Sequence, residues 1–368
     1  MPLRRKKSRL LLHTQVPARV TESFILSGYR FPDYSFLECL LSAFQPTNET
    51  GNFWTHFLAV FVFALSFLEL FASWEPTPSF SDPFFYPLWT YFIGVFGLLL
   101  ASSMAHLFNS MSLLVREICF FVDYGTISAY TVGSSLAYFY YIHPQATAAP
   151  ANVSTDPWLV RSVGQAVSAP QPAPQRSLRG AGFFETLYIP SACLVAVICT
   201  LACCSTRRRW RRYRYFIRTF VFLLPFTVAS APIFYRLYAG PQNGTLAPFF
   251  YRHCFWLLAS AVFNVSKIPE RFSPGRFDIW GHSHQWFHCC TFMSILDELR
   301  MIKGEIRGLS AVAAAAAQLP LAASTLCSTY GVMFGVQCCI GGIISAFAVR
   351  ASADHNEKAV DVDQRKCN

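Results

Sequence analysis

The sequence predicts an all-α integral membrane protein, a bundle of seven core transmembrane helices plus an eighth. Three observations predict it. Of 368 residues, 53% are hydrophobic and only 14% charged. Mean hydropathy is +0.34. Aromatic residues make up 16% of the chain, a surplus suited to helices that face lipid and carry aromatic belts at the interfaces. Soluble domains of this composition would aggregate. The net charge of +10 would suggest a nucleic-acid partner in a soluble protein. Here the basic residues sit in short loops between apolar runs, so they set orientation and no nucleic acid is expected.

Residues 1–52 hold no span and form an N-terminal segment. Its basic cluster, Arg4 to Lys7 with Arg9, is followed only by Leu10 to Leu12, too short for the apolar region of a signal peptide. A helix needs about 20 mostly apolar residues to cross the roughly 30 Å hydrocarbon core. Stretches 53–74, 88–108, 118–141, 183–204, 216–238, 249–266 and 283–302 meet this need and form the core, 53–302. The seventh is the most polar: His284, His288, Asp297, Glu298 and Arg300 fall within it, and only a helix packed inside a bundle could bury such a face. From 309 to 349 the chain runs without a charge, about twice what one span needs. Residues 303–349 therefore read as an external approach segment, with an interfacial helix over Ala311 to Ala317 ending before Pro320, and an eighth span over 323–349. Two short spans hinged at Pro320 are the alternative. Residues 350–368 are the tail.

Lys and Arg counted in alternate connections fix the orientation. Twenty-one lie in the N-terminal segment, the 109–117, 205–215 and 267–282 connections and the tail, against five in the opposite connections. With eight spans both termini are cytoplasmic. The sequons at Asn152 and Asn243 then lie outside, open to glycosylation, and those at Asn48 and Asn264 at the cytoplasmic face. The Pro, Ala, Ser and Gln-rich 145–182 segment reads as an external loop without structure. Most of the 13 cysteines lie in apolar runs as small buried residues, while Cys203 and Cys204, where a span meets a basic loop, invite lipid attachment.

Ionisable residues inside spans are costly and are functional candidates by default. His106 falls near the cytoplasmic end of the second span, with Ser102 one turn deeper. Asp123 lies in the first turns of the third, and His284 and His288, four residues apart, share one face of the seventh. Three helices thus bring polar groups to one depth. A lone imidazole in such a place is commonly an interhelical hydrogen-bond partner. Three imidazoles with one open position form the ligand set of a zinc site, although nitrogen ligands leave iron, nickel and copper open. Asp123 is placed to accept a hydrogen bond from a water at that position, and Ser102 to orient it. Glu49, Asn52 and His56 stand at the start of the first span, where capping and interfacial hydrogen bonds account for them.

Glu49-x-x-Asn52-x-x-x-His56, Ser102-x-x-x-His106 followed by Asp123-Tyr124-Gly125, and His284-x-x-x-His288 resemble the three motifs of the progestin and adipoQ receptor family, in the expected order. The Ser266 to Arg271 run, Pro274 to Asp278 and Ser23 to Arg30 strengthen the match, the last toward the membrane progestin receptor branch. The resemblance implies a bundle with cytoplasmic N-terminus, zinc on His106, His284 and His288, an eighth span, and a plasma-membrane receptor for a progesterone-like steroid that signals through heterotrimeric G proteins. The ligand-contacting residues it leaves unassigned. The wider superfamily includes ceramidases with a similar site. This implies a runner-up: a zinc-dependent hydrolase of amide-bonded lipids in which Asp123, with Ser102, would be catalytic. A zinc site that only braces the bundle is a third reading. The 145–182 loop and the alanine run are not covered by the family pattern.

Overall fold

The computed structural model describes residues 10–30, 32–72, 79–143, 184, 186–208, 213–239, 246–316 and 324–367. A short helix, α1 (Phe36–Ser42), opens on a reciprocal cap: Ser35 Oγ accepts from the Glu38 amide, and the Glu38 carboxylate accepts from the Ser35 amide at 2.8 Å. The bundle follows as α2 (Thr50–Ala72), α3 (Tyr86–Phe108), α4 (Leu113–Tyr141) and α5 (Tyr188–Arg208). Next come α6 (Arg214–Ala229), α7 (Ala231–Ala239), α8 (Leu246–Ser266), α9 (Ser283–Ala316) and α10 (Val332–Cys367). Among the described residues helix dominates, and extended pairing is limited to one bridge between Leu11 and Tyr29.

Helix covers most of each of the eight stretches expected as spans, and among the described residues the bundle is all-α. Five stretches among the described residues are long and apolar enough to cross a membrane, and α6 with α7, bent by 51° at Ser230, makes a sixth. That broken pair fills the place expected for 216–238, with Pro225 inside α6. Helices α4 and α9 fall outside the group because they carry the polar side chains of the bundle. They cross its interior, where Phe63, Tyr91, Leu99, Tyr138, Ile295 and Ile302 pack into one core cluster. By contrast, only 17% of the apolar window in α10 is buried, against 56% for α3, so α10 lies at the periphery.

Two expectations are corrected. The alanine run does not start a separate approach helix: α9 continues unbroken to Ala316, 34 residues or about 51 Å. Residues 317–323, with Pro320, lie outside the described residues. Cys203 and Cys204 are not available to lipid attachment, being buried against Phe120, Phe121 and Val221. Helices α3 and α4 approach closely at Gly133, where a Cβ would sit 2.8 Å from the Thr90 carbonyl oxygen, and at Gly94, where one would sit 3.0 Å from the Tyr130 Cα. Asn152, Asn243 and the whole 145–182 segment fall outside the described residues.

Candidate metal centre and cavity

The segment before α1 folds across one end of the bundle and fixes the helices that carry the histidines. The buried Arg30 guanidinium donates to the carbonyls of His106 and Leu107, both at 2.6 Å, to Asn109 Oδ1 at 2.7 Å and to Ser42 Oγ at 2.9 Å. A cation thereby meets the unpaired carbonyls at the C-terminus of α3, where the helix dipole favours positive charge. At the start of α9 the Glu270 carboxylate does the converse, accepting from the Ser283 amide at 2.7 Å and from its hydroxyl. His282, just before α9, lies 3.2 Å from the Asn48 carbonyl, and burial pushes its pKa down. It belongs to the frame of the site.

Three side chains converge in this frame. One nitrogen from each of His106, His284 and His288 lies within 4.8 Å of the others, and His106 Nε2 and His284 Nε2 are 3.3 Å apart. Hydrogen bonds on the far sides of the rings decide which nitrogens face inward. His106 Nδ1 is 2.8 Å from Glu49 Oε2, so it donates to the carboxylate and Nε2 keeps its lone pair. His288 Nδ1 is 2.9 Å from Thr55 Oγ1, whose own proton goes to the Asn52 carbonyl. With the Thr55 proton on that carbonyl, the His288 ring is the donor and its Nε2 is left as an acceptor. Three converging imidazole nitrogens are the donor set that suits a cation.

Glu49 is the hub of the support. Besides His106 it accepts from Asn52 Nδ2 and Asn109 Nδ2, each at 2.8 Å, and lies 3.8 Å from Arg116. Burial pushes its carboxyl up, but His106, Arg116 and Arg30 together hold it well below the ordinary carboxylate range. His56 is not among the converging three. It stacks on His288 with centroids 3.7 Å apart, and both its nitrogens are buried without a partner. Asp123 Oδ1 is likewise buried and unpartnered, and Asp123 and Ser102 line the same cavity.

That cavity has a volume of about 320 Å³. It starts under the N-terminal segment at Arg19 and Glu22, passes the histidines, and runs between α4, α6, α8 and α9 as far as Glu298. Its size falls within the range of small-molecule sites. The structure thus brings His106, His284 and His288 together and sets Ser102, Asp123, Glu49, Asn52 and His56 around them. Of the remaining sequons, Asn48 is buried and Asn264 lines the cavity. Sequence reasoning treated Glu49 as a cap and missed Thr55 and Arg30 as supports. The motif Glu49-x-x-Asn52 held the signal for the first, since a turn of helix puts both side chains on one face.

Fold and site define a multi-pass α-helical membrane protein with a histidine cluster inside an internal cavity. Residues 44–296 match the Haemolysin-III related family. The chain is 34% identical to membrane progestin receptor delta of Mus musculus over 311 residues, 82% of this chain and 80% of the relative. It is 34% identical to membrane progestin receptor gamma of the same species over 295 residues, 78% and 79% of the two chains. To membrane progestin receptor beta of Homo sapiens the identity is 29% over 303 residues, 80% and 75%. The chain belongs to this family, the progestin and adipoQ receptor family that its motifs resemble.

Proposed function

We propose that the protein is a plasma-membrane receptor for a progesterone-like steroid, with a zinc ion on His106, His284 and His288. The observation that carries this reading is the 320 Å³ cavity, lined by aromatic and aliphatic side chains with polar groups among them, in a chain whose relatives are named membrane progestin receptors. Such a cavity suits a rigid apolar ligand with a few polar handles. The donor set supports zinc, because three neutral imidazoles with an open position match that ion better than calcium or magnesium. When bound, zinc supplies a positive charge that polarises a carbonyl oxygen. Glu49 and Thr55 keep the rings of His106 and His288 in the tautomers that present Nε2. The charge asymmetry of the connections supports cytoplasmic termini, and the family resemblance supports output to heterotrimeric G proteins. Purified protein in lipid is expected to bind progesterone saturably and to accelerate nucleotide exchange on an added G protein. Asn152 or Asn243 is expected to carry glycan in cells, and glycan on Asn48 instead would overturn the orientation.

One observation favours a second reading, hydrolysis of an amide-bonded lipid such as ceramide. Asp123 Oδ1 is buried, unpartnered and on the cavity wall that holds the histidines, as a general base requires. In that reading Asp123 takes a proton from an attacking water while Ser102 orients it, and Asp123→Asn cuts turnover by roughly 10² or more. A receptor has no such step. Progesterone binding that survives Asp123→Asn within about tenfold, with no fatty acid released from ceramide by mass spectrometry, supports the receptor. Release that depends on zinc and on Asp123, without saturable steroid binding, overturns it.

A further inference from the structure

The far end of the cavity holds a second polar group, which the histidines leave unused. Glu298 on α9 is 1% exposed and lies ten residues beyond His288, about 15 Å along the helix. Three phenols reach it from the neighbouring helices. Tyr138 on α4 donates to Oε1 at 2.6 Å, Tyr130 on α4 donates to Oε2, and Tyr91 on α3 shares its proton between Oε2 and the Ile295 carbonyl, both at 3.3 Å. The nearby basic residues are committed elsewhere. Arg252 and Arg300 pair with Asp297 at 3.1 and 2.8 Å, and Lys303 pairs with Glu69 at 2.9 Å. Among the described residues no cation lies within ion-pair distance of Glu298.

Glu298, Tyr130 and Tyr138 line the cavity, and Oε1 carries a single hydrogen bond where a carboxylate oxygen can accept two. Across the cavity, at the bend between α6 and α7, Ser230 Oγ is fully buried and without a partner. An acceptor with spare capacity and an unmet hydroxyl thus face one apolar space, at a depth where unmet polar atoms are costly.

We propose that Glu298, steadied by Tyr91, Tyr130 and Tyr138, is the acceptor for a hydroxyl group at the end of the ligand farthest from the histidines. The assignment rests on the steroid reading of the cavity and sharpens it: the preferred steroid is an alcohol at that end. A ketone there can accept from Ser230 Oγ but leaves Glu298 Oε1 without a second donor. Sites built to hydrogen-bond a hydroxyl discriminate strongly against ligands that lack it, because the site's own polar group is then left unpaired.

The test uses full-length protein in lipid nanodiscs with three probes: progesterone, whose polar atoms are ketones alone, and the two alcohols made by reducing its ring ketone or its side-chain ketone. One of the alcohols is expected to bind wild-type protein at least about tenfold more tightly than progesterone. In Glu298→Gln, whose amide can donate to a ketone, that preference should vanish or reverse. Tyr138→Phe disturbs the same cage but leaves the carboxylate in place, so it should retain the preference. Equal affinities in wild type, or a preference unchanged in Glu298→Gln, overturn the assignment while leaving the receptor standing. Absence of saturable binding by all three probes overturns the steroid reading and this assignment with it. The wild-type comparison alone can decide against Glu298, whichever variants fold.

Discussion

At one end of the cavity three imidazoles bring ring nitrogens together, and at the other a carboxylate is surrounded by three phenolic protons. Both ends bury polar atoms inside helices, yet they differ in what completes them. The outer nitrogens of His106 and His288 are engaged by Glu49 and Thr55, so their inner nitrogens are left to the cluster itself, where His284 Nε2 lies 3.3 Å from His106 Nε2. Glu298 finds its donors within the bundle. The first arrangement gathers acceptor-capable nitrogens, whereas the second is held by three phenolic donors of the bundle and keeps spare acceptor capacity on Oε1. Burial alone therefore does not set the two ends apart; the direction in which donors and acceptors point does.

The largest expected effect breaks the histidine end. Purified protein should hold about one zinc per chain, measured by elemental mass spectrometry. The His106→Ala, His284→Ala double variant should lose it. Because a ligand bound only by the folded state stabilises that state, loss of the ion should cost roughly 4 kcal/mol when free zinc is about a thousandfold above its Kd. A large drop in the thermal midpoint, matched by chelation of wild-type protein, is the readout. Full zinc retention in the double variant would eliminate the site as described.

Next in size is Glu49→Gln. It keeps the shape of the side chain but removes the carboxylate that orients His106, and zinc affinity should fall about 10- to 100-fold. Thr55→Val should lower it less, since a neutral hydroxyl holds His288 less firmly than a carboxylate holds His106. Competition with a calibrated chelator measures both. An affinity unchanged in Glu49→Gln would mean that the α3 backbone, held by Arg30, orients the ring without help.

The smallest effect belongs to the Glu298 end. Tyr138→Phe removes one hydrogen bond from a cage that keeps two others, and should cost about 1 kcal/mol of stability with no change in zinc content. A loss of zinc in this variant would show that the two ends are coupled, and the contrast drawn between them would fail.

The spans were legible in the sequence because a helix long and apolar enough to cross a bilayer is a local property of its residues. Apolar length alone places α2, α3, α5, α8 and α10. Charge-free length misjudged one boundary, since the run after Leu309 reads as a new element although alanine, the strongest helix former, simply extends α9 to Ala316. At the site, the i and i+4 spacing of His284 and His288 reveals a shared face, and the topology argument brings His106 to the same depth.

What joins these residues to their supports spans the chain. Glu49 meets His106 across 57 residues, Thr55 meets His288 across 233, and Tyr138 meets Glu298 across 160. Sequence pattern determines by itself that the 283–302 part of α9 must be packed inside the bundle, because its polar face cannot stand in lipid. Which partner each polar atom meets there depends on helix rotation and on close approaches such as that at Gly133. Those follow from packing among all the helices at once, so tertiary structure alone decided that one end of the cavity should gather three imidazoles and the other a carboxylate among phenols.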